Sequence, residues 1–183
     1  FWLFFPRRVK IILQLVQALL EGKYFPEPIK RFYFKNYMTE TWQFADRMMF
    51  ALVYAIIKPT IKHIIPSTCM HIHHGPHGAK CAISQLEAAM AHTDFRYFIR
   101  MDIKSYYASM NHDILIQDLN DHFDDKRIVS ACAAIITRVI DDEGIYITPT
   151  QGIPLRCSLS PFFGALYLKP LDLAFQNKKG VFY

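Results

Sequence analysis

The chain has 183 residues, with 21 Lys and Arg against 16 Asp and Glu and a formal charge of +5, a length that encloses a real hydrophobic core. Hydrophobic residues make up 52% and charged residues 20%, the reverse of the balance that keeps a chain disordered. Cys69, Cys81, Cys132 and Cys157 form no CxxC pair, which argues against a disulfide scaffold or a four-cysteine zinc module and points to a reducing, cytoplasmic setting.

In chain order, Val9 to Leu20 predicts an amphipathic helix with Ile12, Leu15, Val16 and Leu19 on one stripe and Gly22 as its stop. Tyr24 to Tyr37 is an aromatic and basic stretch. Thr39 or Thr41 is then expected to cap a long helix running to about Lys58 and broken by Pro59, buried because its apolar positions wrap most of the cylinder. Its most apolar run, Met48 to Ile57, is about half the ~20 residues a spanning helix needs, so a soluble chain without a membrane partner is expected. Residues 64–78 read as a loop dense in Pro, Gly and His, and Ala79 to His92 as a helix. Arg96 to Ile103 alternates in hydrophobicity and predicts a strand ending at Asp102. His112 to His122 and Asp125 to Asp141 read as helices, Glu143-Gly144 as a turn and Ile145 to Thr148 as a short strand. A Gly/Pro loop follows to Pro154. Ser158 or Ser160 opens a helix to about Gln176, and Val181 to Tyr183 reads as a last strand. Helices with few strands give an α+β class. The missing Met before Phe1-Trp2 and the β-prone end at Tyr183 suggest a piece of a longer polypeptide.

The charge is uneven. Residues 1–100 hold 13 Lys and Arg against 6 Asp and Glu, while residues 101–183 hold 8 against 10. Such a split suits a protein that grips a polyanion with one part and places cations with the other, and chance gives it as readily. Asp102, at the end of an apolar run, either coordinates a hard cation or caps the next helical turn. Gln151 to Leu168 combines Gly, Pro and Ser160-Pro161 at a helix start. Its backbone N–H groups either meet a phosphate or serve a structural loop. Cys69, His71, His73, His74 and His77 either bind a metal or form a polyanion-contacting loop. Asp124-Asp125 and Asp141-Asp142 read as helix caps and solvated charges.

Together these segments carry a family resemblance. Arg100-Met101-Asp102-Ile103-Lys104-Ser105-Tyr106-Tyr107, with His112 shortly after, resembles the first catalytic motif of reverse transcriptases of the prokaryotic group II intron and retron kind. Gly152-Ile153-Pro154 through Ser160-Pro161-Phe162-Phe163 is similar to their loop-and-helix motif, and Tyr167 to Asp172 continues it. Upstream, His73 to Lys80 resembles their Gly-rich, basic fingers segment. The resemblance covers roughly residues 40–183, in the family's order.

It implies the fingers and incomplete palm of a right-hand polymerase, helix-rich with a small antiparallel sheet. Residues 1–38 would be a helical, basic N-terminal extension and 39–183 the reverse transcriptase domain. The implied activity is RNA-directed DNA polymerisation, a nucleotidyl transfer adding deoxynucleotides to a DNA primer on an RNA template with Mg²⁺ or Mn²⁺. Asp102 and the Ile103 carbonyl would face the metal. Tyr107 would lie under the sugar, or else pack as a core aromatic. Lys80, Gly152, Pro154, Leu155 and Arg156 would shape the nucleotide site. In the basic half, Arg7, Arg8, Lys10, Lys30, Arg31 and Lys35 would follow the nucleic-acid backbone.

The sequence departs from the family at three places. Pro154-Leu155-Arg156 stands where Pro-Gln-Gly is common, His74 stands near the usual basic fingers residue, and no Asp-Asp follows Pro161. A single motif aspartate cannot hold two metals, so the chain by itself is expected to be inactive. The second reading is a degenerate relative that binds RNA without polymerising. The third is a histidine-cluster metal protein of unrelated fold.

Overall fold

The computed structural model describes residues 5–35, 37–176 and 178–183, with side chains from residue 9 onward. Helix α1 (Phe5–Leu20) ends at Gly22 and turns Leu15, Val16 and Leu19 inward, while Ile12 stays exposed. The aromatic and basic stretch that follows forms a hairpin of β1 (Ile29–Phe34) and β2 (Tyr37–Thr41). Thr39 and Thr41 therefore lie in a strand, opposite Phe32 and Lys30, and cap no helix. The hairpin also straddles the boundary expected between residues 38 and 39.

Helix α2 (Phe44–Ile64) follows directly and carries Pro59 in its interior. A proline removes one N–H from the ladder and normally breaks a helix. Here Val53, Ile57, Ile61 and Ile64 are buried on both sides of it, so tertiary packing holds the helix through the defect. The His-rich run is not a loop. It forms α3 (Met70–His74) and a 3₁₀ turn (Gly75–His77) leading into α4 (Gly78–His92). Gly78 lets α4 start against α3: a Cβ there would sit 2.8 Å from the Met70 carbonyl oxygen.

Residues 93–103 form no strand, and Tyr97, Phe98, Ile99 and Met101 are exposed. Residues 181–183 form none either. Alternation and β-propensity describe a fit to a pleated surface, and a strand exists only where a neighbour takes its backbone hydrogen bonds. Helices α5 (Tyr106–Ser109), α6 (His112–His122) and α7 (Lys126–Ile136) follow. Asn111 caps α6 by accepting from Ile114 N at 3.0 Å, and Asp125 caps α7 by accepting from Arg127 N at 2.9 Å. The α7 segment stops earlier than its sequence pattern, since residues 140–142 are strand. β3 (Ile140–Asp142) and β4 (Ile145–Ile147) form a tight hairpin through Glu143 and Gly144, both at positive φ as such turns require.

The four strands form one sheet in the order β2-β1-β3-β4. It is mixed where an antiparallel sheet was expected: β1 and β3 run parallel, as a long helical connection allows. The last helix, α8 (Ser160–Gln176), completes a helix-rich α+β fold. Its Phe162, Phe163 and Leu166 pack with Leu115 and Leu119 of α6, Ile135 and Ile136 of α7, and Met49, Phe50 and Val53 of α2 in one core. Among the described residues no helix is long and apolar enough to cross a membrane.

One polar pair lies within this packing. Tyr24 Oη donates to Asp46 Oδ1 at 2.8 Å, and among the described residues no side-chain or backbone donor meets the geometric criteria for a hydrogen bond to Asp46 Oδ2. Burial raises the Asp46 pKa above the ordinary carboxylate value, against the Tyr24 hydrogen bond, which lowers it. The folded chain then holds the Asp46 proton more tightly than the unfolded chain does. Asp46 therefore makes stability fall as pH rises from about 4 through the elevated value. Asp46→Asn is expected to flatten the pH dependence of the denaturation midpoint over that range, and an unchanged slope would refute the role of this carboxyl.

Candidate functional site

Two segments distant in sequence are joined through their backbones. Gly152 N donates to the Met110 carbonyl at 2.7 Å and Ile153 N to the Tyr107 carbonyl at 2.8 Å, and Asn111 bridges Gln151. These contacts bring the Asp102–His112 motif against the 151–161 loop. Ser105, at φ 53°, turns the chain into α5 so that Tyr106 and Tyr107 face α8. Gly152 has φ 83°, and a Cβ on it would lie 2.8 Å from the Ala108 carbonyl oxygen, so the two backbones meet where only glycine fits without strain.

The Gly152 carbonyl accepts two hydrogen bonds, from His112 Nε2 at 2.7 Å and Arg138 Nη1 at 2.8 Å. Because the acceptor is a carbonyl, His112 carries its proton on Nε2. Arg138 also donates to the Ile136 carbonyl at 3.1 Å and is buried, and among the described residues its Nε has no partner. Burial lowers its pKa, with Glu40 acting in the opposite sense. Sequence reasoning missed Arg138. Its one signal is a lone cation between Thr137 and Val139-Ile140 at a helix-to-strand junction.

On the α8 side, Tyr106 Oη donates to the Gly164 carbonyl at 2.6 Å, and the Asn111 amide donates to Tyr167 Oη at 3.3 Å. The Tyr107 ring lies over Gly164, where a Cβ would come within 3.0 Å of Tyr107 Cε1. Burial raises the pKa of both Tyr106 and Tyr107, so both hydroxyls stay protonated. Ser160 Oγ donates to the Pro154 carbonyl at 2.6 Å and fixes the loop at the start of α8. Arg156, at φ 58°, reaches across to Thr39, its Nη1 donating to Oγ1 at 2.8 Å. It borders a cavity of about 540 Å³ lined also by Phe44, Arg47, Met48 and Ser158. Burial pushes the Cys157 thiol beside it up to about 11, so it is no nucleophile at neutral pH.

The residues singled out from the sequence are distributed unevenly about this junction. Asp102 and Ile103 are exposed. Gly152 and Pro154 are buried, with the Gly152 polar groups already taken by protein, while Leu155 and Arg156 are exposed. Lys80 is exposed on α4, and Lys10, Lys30 and Lys35 are exposed. Arg31 is committed instead to Glu40 at 2.8 Å and Asp142 at 2.9 Å. Arg7 and Arg8 fall in the first turns of α1, and their side chains lie outside the described residues. Among the described residues no three His, Cys, Asp or Glu side chains gather to hold an ion. That covers both Asp102 and the His-rich run, where Cys69 Sγ is 3.5 Å from His71 Nδ1 without further donors. The residues present do not by themselves fit a two-metal centre.

No protein-family model matches the chain. Over 77 residues, 42% of this chain, it is 26% identical to the "Putative COX1/OXI3 intron 1 protein" of Saccharomyces cerevisiae, and covers 9% of that protein. Chains of the solved "Partial Cas6-RT-Cas1--Cas2 complex" and "Cas6-RT-Cas1--Cas2 complex" superpose on 93% of it, each with a TM-score of 0.60 and 14% identity. This chain spans 30% and 19% of their lengths, so each of these proteins is several times longer. The likeness establishes the fold alone: a helix-rich α+β arrangement shared with part of a chain of that complex.

Proposed function

We propose that these residues are the fingers and part of the palm of an RNA-directed DNA polymerase, and that polymerisation needs further carboxylates beyond them. The observation that carries this reading is the junction of the two motifs at Gly152. It draws the segment bearing Asp102 and the Tyr107 ring onto the loop that leads into α8. The fold shared with an RT-containing chain supports it. In this reading Asp102 offers an exposed carboxylate, Tyr107 a ring held by Gly164, and Arg156 a cation for the incoming phosphates. The chain's own residues hold and orient, and the reaction itself requires a second carboxylate and Mg²⁺ or Mn²⁺.

Primer extension with deoxynucleotides on an RNA template tests the assignment. These 183 residues alone are expected to give no product, whereas a longer polypeptide that adds paired aspartates after Tyr183 is expected to extend the primer. Product from the 183 residues alone would overturn the reading of Asp102 as one ligand among several. No product from the longer polypeptide, with retained RNA binding, would favour the non-catalytic RNA-binding relative.

A further inference from the structure

The segment between α4 and α5 leaves its backbone unpaired. Among the described residues, no N–H or carbonyl from 96 to 103 enters a backbone–backbone hydrogen bond, although the sequence there has the pattern of a strand. Extended, its side chains alternate onto two faces. One face carries Phe95, Tyr97, Ile99, Met101 and Ile103, and the other carries Asp94, Arg96, Phe98, Arg100, Asp102 and Lys104. Tyr97 is 86% exposed, Phe98 79%, Ile99 77% and Met101 67%. None of the charged side chains on the second face belongs to an ion pair among the described residues. An unpaired segment of this kind is a template for another strand.

The order of its charges says which strand fits. When two copies of the segment run antiparallel about a two-fold axis at Ile99, directly opposite residues share a face. Arg96 of one copy then lies opposite Asp102 of the other, and Asp94 opposite Lys104, each pair formed twice by the symmetry. Phe98 meets Arg100, a cation against a ring. On the reverse face Tyr97 meets Met101, Phe95 meets Ile103, and Ile99 meets itself. The neighbouring registers are disfavoured, because like charges directly opposite are destabilising. An axis at Phe98 sets Asp94 against Asp102 and Arg96 against Arg100, and an axis at Arg100 sets Arg96 against Lys104 and Arg100 against itself. An axis between two residues puts charged side chains against apolar ones. A two-stranded ribbon alone is marginal and needs cover on its apolar face. The helix that leads into it, α4, carries Ile83, Leu86 and Met90 on one stripe at i, i+3 and i+7, and Ile83 and Met90 are exposed.

We infer that residues 94–104 are a self-complementary interface through which two copies of this chain pair as antiparallel strands. Each copy offers the same edge, so the pairing closes at two copies. No packed core has to open, since residues 96–103 are all exposed. In the pair Asp102 is taken up by an arginine, so pairing and cation binding at Asp102 exclude one another. The inference stands on this segment alone and holds whether or not the chain is part of a polymerase.

Sedimentation velocity from about 1 to about 200 µM tests it, and a monomer–dimer equilibrium is expected within that range. Arg96→Asp and Asp102→Arg each set like charges opposite one another. Each is expected to weaken the dimer at least about tenfold, with an unchanged circular-dichroism spectrum because both side chains are exposed. The Arg96→Asp/Asp102→Arg double variant exchanges the partners and is expected to restore the parent dimer. Ile99→Cys, on the axis, is expected to cross-link to itself under mild oxidation, whereas Arg96→Cys, roughly 20 Å from its own copy, is not. A chain that stays monomeric at about 200 µM, single variants that associate like the parent, a double variant no better than the singles, or no cross-link at position 99 would overturn the proposal. So would assemblies that grow past two copies, which would mark unspecific association of the apolar side chains.

Discussion

Asp102→Ala, placed in a polypeptide that joins these residues to paired aspartates, is expected to slow primer extension at least about a thousandfold, roughly 4 kcal/mol of transition-state stabilisation. The same change is expected to move folding stability by less than about 0.5 kcal/mol, because the side chain is exposed and takes part in no hydrogen bond among the described residues. The two readouts separate a functional carboxylate from a structural one. A helix-capping or core-tethering aspartate would lose stability and activity together. An extension rate within about threefold of the parent, on normally folded protein, would remove Asp102 from the active site.

The second large effect belongs to stability. Gly152→Ala forces a side chain into a left-handed backbone conformation, which costs about 1–2 kcal/mol. It also drives a Cβ to 2.8 Å from the Ala108 carbonyl oxygen and 3.0 Å from Ala108 Cα, where a backbone contact cannot turn away as a flexible side chain can. Overpacking of that kind adds about 1–3 kcal/mol. The expected loss is about 2–5 kcal/mol in urea denaturation. Gly144→Ala is the control, since Gly144 also has positive φ, at 91°, but meets nothing within 4 Å. If the two variants lose equal stability, the close approach at Gly152 contributes nothing and the motif junction is looser than its hydrogen bonds imply.

The parts of this fold that the sequence discloses are those governed by local rules. Helix α6 occupies the predicted His112–His122, since an Asn cap and a periodic apolar stripe are both local signals. The β3–β4 turn was marked by Glu143-Gly144 for the same reason. The β1–β2 hairpin leaves no such local signal because its exposed rings do not alternate, and the parallel pairing of Ile29 with Ile140 depends on residues more than a hundred positions apart. Residues 96–103 show the opposite failure, a strand pattern without a partner. At the candidate site, motif order disclosed which segments meet. It did not disclose Arg138, because a buried cation serving a carbonyl leaves no spacing to read, nor the commitment of Arg31 to two carboxylates.

Helix α4 has a consequence in time. Of its residues, Gly78 alone is buried, and its main neighbours are the short α3 and the 3₁₀ turn at its own start. With so little area to lose, opening α4 costs a fraction of global unfolding. Its amides should exchange with solvent deuterium long before those of α2 or α8, as a separate cooperative unit. The close approach of Gly78 to Met70 marks the end of α4 that stays anchored, so the expected opening frays the helix from His92 toward Gly78 while the core stays closed.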